Sequence, residues 1–196
     1  MRYYLSDKRW LLGLLLLGLG SSVHAHTGVS HHSDFFAGLS HPVSGLDHVL
    51  AMIAVGLWAT QLGNRALWCV PLAFVATMAL GGLLGLAGIP LPLVELGIAG
   101  SVLILGGLIA FASRLPLAAS MALVGVFALF HGYAHGAEMA AGSTALWYSI
   151  GFMLTTALLH GAGIGIGLLA QRGMSARLLR LGGAAIAASG MLLLVG

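Results

Sequence analysis

Charge is what this sequence has least of. Only 7% of its 196 residues are Asp, Glu, Lys or Arg, against roughly 25% in an ordinary soluble domain. So few charged side chains cannot cover a 20 kDa globule, and 59% of the residues are hydrophobic, so the surface must face lipid. A mean hydropathy of +1.03 agrees. Cysteine is nearly absent as well. The single Cys69 excludes an internal disulfide, a four-cysteine zinc site and CxxC redox chemistry. The net charge of +3 comes from sparse, scattered basic residues with no stripe to follow a phosphate backbone, which excludes nucleic acid as a partner. There is no nucleotide-binding motif. What the chain has in excess is glycine, 30 residues, and histidine, 9 residues, more than lysine and arginine together. Glycine at this level in an apolar chain points to closely packed helices.

Residues 1–25 read as a cleaved secretory signal. Arg2, Lys8 and Arg9 form a positive start, Leu11–Leu19 is a short apolar core, and Ser21-Ser22-Val23-His24-Ala25 ends in small residues at the usual cleavage positions. The apolar run is too short for the ~20 residues a span needs. Cleavage after Ala25 makes His26 the new N-terminus, outside the cytoplasmic membrane of a bacterium.

The expected fold is an all-α integral membrane protein. One transmembrane domain over 26–196 carries six helices, at about 46–62, 67–88, 93–112, 116–137, 146–169 and 177–195. Turn formers separate them: Gly63-Asn64, Gly88-Ile89-Pro90, Pro116, Gly142-Ser143 and Gly173. A secreted N-terminus sends the first span inward, so both mature termini are periplasmic. Arg65, Arg114, Arg172, Arg177 and Arg180 then all fall on the cytoplasmic side, as the positive-inside rule requires. Trp58 and Trp68 fall near the inner interface and Trp147 and Tyr148 near the outer one, as an aromatic belt would place them. Gly81 with Gly85, Gly161 with Gly165, and Gly163 with Gly167 are spaced for close helix approach.

Ionisable groups inside a span cost about 2.5–3.5 kcal/mol each on insertion scales, which makes them functional candidates. Here they gather at one depth. Asp47 and His48 open the first span, Glu95 opens the third, and His131, His135 and Glu138 occupy the outer half of the fourth. Positions 131, 135 and 138 form one stripe on a helix, so two imidazoles one turn apart can share a metal ion beside a carboxylate. The plainer alternative is a pair of histidines bonded to backbone carbonyls. In His41-Pro42-Val43-Ser44-Gly45-Leu46-Asp47-His48, His41 and His48 lie ~10 Å apart on an ideal helix. Pro42 and Gly45 argue for an unwound entry that folds His41 back, with Ser44 or Asp47 as a capping residue in the plainer reading. His26, with His31, His32 and Asp34, adds metal donors on the outer side, either as a tail that sequesters metal or as one that delivers it. Glu95 reads equally as ligand, proton carrier or packing partner. His160 is isolated and reads as a hydrogen-bonded core histidine, Cys69 reads as packing, and Met52 is the one methionine placed to line a path.

The stretch His41-Pro-Val-Ser-Gly-Leu-Asp47-His48, continuing to Gly56, resembles the first-span signature of the HupE/UreJ family, and His131-Gly-Tyr-Ala-His135-Gly-Ala-Glu138 resembles its fourth-span motif. Signal, size and span number are similar too, over essentially the whole chain. The resemblance implies a nickel, sometimes cobalt, permease associated with hydrogenase or urease clusters. It implies that His41, Asp47, His48, Glu95, His135 and Glu138 are the functional polar positions, with His131 close by and an aromatic at Phe74.

The expected function is uptake of Ni(II), with Co(II) as an alternative, from periplasm to cytoplasm, by a protein that is not an enzyme and keeps no cofactor bound. Hydrogenase or urease maturation proteins would receive the metal. Imidazole and carboxylate suit Ni(II), Co(II) and Zn(II), and the lack of thiolates argues against Cu(I). One rival is an intramembrane zinc hydrolase with Glu138 as general base. Another is a haem-binding electron-transfer subunit, which the carboxylates beside the histidines disfavour.

Overall fold

The computed structural model describes residues 31–139, 144–173 and 176–195. The signal segment and His26 lie outside the described residues. Among the described residues there are seven helices and no strand: α1 (His31–Ser44), α2 (Leu46–Leu62), α3 (Ala66–Leu86), α4 (Val94–Ala110), α5 (Leu117–Ala137), α6 (Ala145–Gly173) and α7 (Ala176–Val195). α2 to α7 coincide with the six apolar segments to within a few residues. Four of them, α3, α5, α6 and α7, are long and apolar enough to cross a membrane. α4 is apolar but has 17 residues, and α2 passes the same test only jointly with α1, to which it is bent by 82°.

That bend is where the entry differs from expectation. His41 is helical, and Pro42 sits inside α1 instead of unwinding it. Pro42 falls in the last turn, where no turn of helix follows it to be disrupted, and Ser44 Oγ donates to the His41 carbonyl at 2.6 Å. The chain breaks three residues later, at Gly45, which is extended (φ −101°, ψ 120°).

Glycine seams hold the helices together. A methyl group at Gly132 would collide with the Met78 carbonyl, and one at Gly136 with the Gly82 carbonyl, so α3 and α5 touch backbone to backbone. Numbers rise together along this seam, so the two helices run parallel. α2 and α6 are parallel by the same test, with His48 beside Thr156, Gly56 beside Gly163, and Thr60 beside Gly167. α4 and α7 are antiparallel, with Leu103 beside Gly190 and Gly106 beside Ala187. Of the expected pairs, Gly81/Gly85 and Gly163/Gly167 lie in seams, whereas Gly161 and Gly165 face open space. Spacing alone does not reveal which face of α6 turns inward.

The bundle has two chemically distinct ends. Arg65 and Arg114 line one cavity, and Arg114 and Arg180 a second of about 330 Å³, both at the end where α2 meets α3 and α4 meets α5. His41, Glu138 and the start of α6 lie at the other end, where Asp34 accepts the Thr144 N–H at 2.8 Å. The aromatic belt is only partly as expected. Trp68 and Trp147 are exposed, but Trp58 is fully buried and donates to the Ser113 carbonyl, and Tyr148 is buried against Phe152.

Candidate metal site

Two groups of potential ligands meet at His135. In the first, His48, His131 and His135 bring one ligand atom each to within 4.8 Å of the others; in the second, His41, His135 and Glu138 do the same. His48 comes from the first turn of α2, His131 and His135 from successive turns of α5, and His41 from the end of α1. The break at Gly45 is what lets His41 and His48 reach the same ring from two directions. His41 and His135 meet edge to face at 4.8 Å between centroids, and His48 and His135 at 4.9 Å.

The two nitrogens of His135 face different groups. Its Nε2 lies 3.2 Å from His48 Nδ1. Two imidazole nitrogens on one tetrahedral ion, with bonds of about 2.0–2.1 Å, are held about 3.3–3.4 Å apart, so this pair is already at ligand spacing. Its Nδ1 lies 3.7 Å from a Glu138 carboxylate oxygen, and His41 Nε2 lies 3.5 Å from the same oxygen. These separations are too long for hydrogen bonds and leave room for an ion between the groups. His135 Nδ1 and His131 Nδ1 are buried with no hydrogen-bond partner.

Burial grades across the pair of groups. Glu138 has a side chain 58% exposed, His41 32% and His135 16%, whereas His48 and His131 are 1% and 0% exposed. The buried group carries no carboxylate, so a divalent ion there would keep its full charge in the interior. The exposed group offers an anionic oxygen for capture.

Several supporting residues escaped the sequence reading. Phe152 on α6 packs against His135 at 4.5 Å and His48 at 5.1 Å between ring centroids, forming an aromatic wall. Thr156 Oγ1 sits 3.3 Å from His48 Nε2, and Ser101 Oγ 2.9 Å from His131 Nε2. Such partners orient ligand rings. They come from helices remote in sequence, and no local spacing announces them.

Two expected ligands stand apart from both groups. Asp47 Oδ1 accepts the His48 backbone N–H at 2.7 Å, which places the carboxylate at the α1–α2 break as a capping group beside the site. Glu95, in the first turn of α4, is exposed. Ser101 marks the depth of His131 on that helix, so Glu95 lies about 9 Å further toward the Glu138 end. A cavity of about 260 Å³ between α3, α5 and α6 reaches His135 past Gly136, Phe152 and Met153, and its walls are mostly apolar.

The family described as HupE / UreJ protein matches residues 14–193. Protein HupE of Rhizobium leguminosarum bv. viciae is 48% identical over 183 residues, covering 93% of this chain and 95% of that protein. No solved structure matches.

Proposed function

The chain belongs to the HupE/UreJ family, and from that membership we propose that it is a permease carrying Ni(II), with Co(II) as the alternative cargo, from periplasm to cytoplasm. The observation that carries this reading is the pair of ligand groups sharing His135, one exposed and anionic, the other buried and neutral. A permease must capture an ion, strip its water and hold it loosely enough to release it. The exposed group captures with Glu138 and His41. The ion then advances from the Nδ1 side of His135 to the Nε2 side, where three imidazoles replace water. Neutral imidazoles bind metal and protonated ones do not, so proton uptake offers a way to release it.

The wider setting follows the same reading. Six crossings after a cleaved signal would place both mature termini in the periplasm of a bacterial inner membrane. Parallel α2 and α6, parallel α3 and α5, and antiparallel α4 and α7 are the directions that six consecutive crossings require. The arginines at one end support the orientation. His26 would add an outer donor, and hydrogenase or urease maturation proteins would be the recipients. Asp47 and Glu95 serve as acidic groups around the mouth, Asp47 by holding the turn that presents His48.

The test is metal influx into proteoliposomes, with Ni(II), Co(II) and Zn(II) in competition. Saturable Ni(II) influx that disappears in His135→Ala, which removes the ring common to both ligand groups, while the variant still inserts in the membrane, supports the permease. The apolar cavity reaching His135 is the one feature that favours an intramembrane zinc hydrolase. Metal binding without influx, together with zinc-dependent lipid hydrolysis, would move the assignment there.

A further inference from the structure

Beyond the buried triad the interior holds one more histidine among the described residues. His160 lies on α6 one turn after Thr156, the residue paired with His48 Nε2. Since α2 and α6 run parallel, that turn carries His160 about 6 Å further from the Glu138 end. It is 2% exposed, and neither ring nitrogen has a hydrogen-bond partner. A neutral imidazole has one nitrogen that donates and one that accepts, and leaving a buried polar atom unpaired costs about 1–3 kcal/mol. An apolar side chain of similar size would fill the space without that cost. The expected core histidine with satisfied hydrogen bonds is therefore not what stands here.

One ring separates His160 from the triad. Phe74 on α3 is fully buried, with its centroid 5.2 Å from His160 and 5.9 Å from His131. Unpaired nitrogens thus lie on both sides of it: Nδ1 of His131 on one, both nitrogens of His160 on the other. Thr156 Oγ1 and Met78 Sδ, 3.9 Å apart, place an oxygen and a sulfur one turn before His160 and one turn after Phe74. The described carboxylates, Asp34, Asp47, Glu95 and Glu138, all lie toward the other end.

We propose that His160 is an inner station for the divalent ion, taken over from the His48/His131/His135 triad past the ring of Phe74. The direction of this transfer rests on the permease reading. The ligand is a borderline cation that accepts imidazole, of the Ni(II), Co(II) or Zn(II) class. With no anionic ligand at this depth the hold is weak, as a station before release must be. Rotation of the Phe74 side chain opens and closes the step, so the triad and His160 need not share an ion.

The full chain in lipid nanodiscs, titrated with Co(II) as a spectroscopic probe, tests the site without transport. His135→Ala removes the ring common to both outer groups. The expected result is a weaker residual Co(II) band in this variant that disappears in His135→Ala/His160→Gln. No residual band, or a band indifferent to His160→Gln, overturns the proposal. His160→Gln alone, which keeps the size and hydrogen-bonding capacity of the side chain, is expected to retain binding at the outer groups and lower Ni(II) influx about tenfold. Unchanged influx would show a packing residue and overturn the station. Absence of influx in the unmodified protein would defeat the permease reading instead, and the Co(II) titration would still decide whether His160 binds.

Discussion

The two ends of the bundle use polar side chains in opposite ways. At the arginine end, donors are committed to backbone carbonyls at or just beyond helix ends. Trp58 bonds the Ser113 carbonyl, Gln61 that of Ile109, Arg180 that of Ala110 and Gln171 that of Thr60. These finish the C-terminal turns of α2 and α4, a structural use. At the histidine end, His131 and His135 each keep a buried nitrogen with no partner. Polar atoms bonded to backbone carbonyls build the bundle, while the ring nitrogens at the histidine end face one another or nothing, and these can meet an ion. Gln61 Oε1 is the exception at the arginine end, unpaired although its amide nitrogen is bonded. The difference teaches that position in a span matters less than whether the side chain has already found its hydrogen bonds.

Four substitutions bear on that contrast. His135→Ala removes the ring that both ligand groups share and is expected to cut Ni(II) influx at least a hundredfold in proteoliposomes, with insertion intact. Gly132→Ala attacks the seam that aims the histidine stripe. Its new methyl group meets the Met78 carbonyl, and overpacking of this kind costs about 1–3 kcal/mol, to be read as a lowered Tm of the purified protein. Glu138→Gln keeps the shape of the exposed group but removes its charge. It should raise the KM for Ni(II) about tenfold with the maximal rate within twofold, since capture weakens and the buried triad is unaltered. Arg180→Ala, at the structural end, should leave influx within about twofold. A large loss there would erase the distinction between the two ends.

Much of the scaffold was legible in the sequence. The apolar runs and their turn formers located α2 to α7 because lipid leaves few other ways to satisfy the backbone. The stripe of His131, His135 and Glu138 was readable because one helix carries all three. The convergence of His41 and His48 on His135 was not, since it depends on α1, the least apolar of the described helices, which no apolar run announces and whose Pro42 argues against it. Trp58 illustrates the same limit. Its place near a span end suggested an interfacial ring, yet the neighbouring helix turns it into the core, where its N–H finds the Ser113 carbonyl. Rotation about a helix axis is set by partners far along the chain. For that reason Gly161 and Gly165 could not be told from Gly163 and Gly167.

The break at Gly45 gives His41 leverage. His41 stands four residues before the break, about 6 Å along α1, while His135 belongs to a different rigid helix. Tilting α1 by about 10° about that point moves the His41 backbone by about 1 Å, several times the ~0.2 Å tolerance of a metal–nitrogen bond. A tilt of that size is therefore enough to bring His41 into, or take it out of, a coordination shell shared with His135 and Glu138.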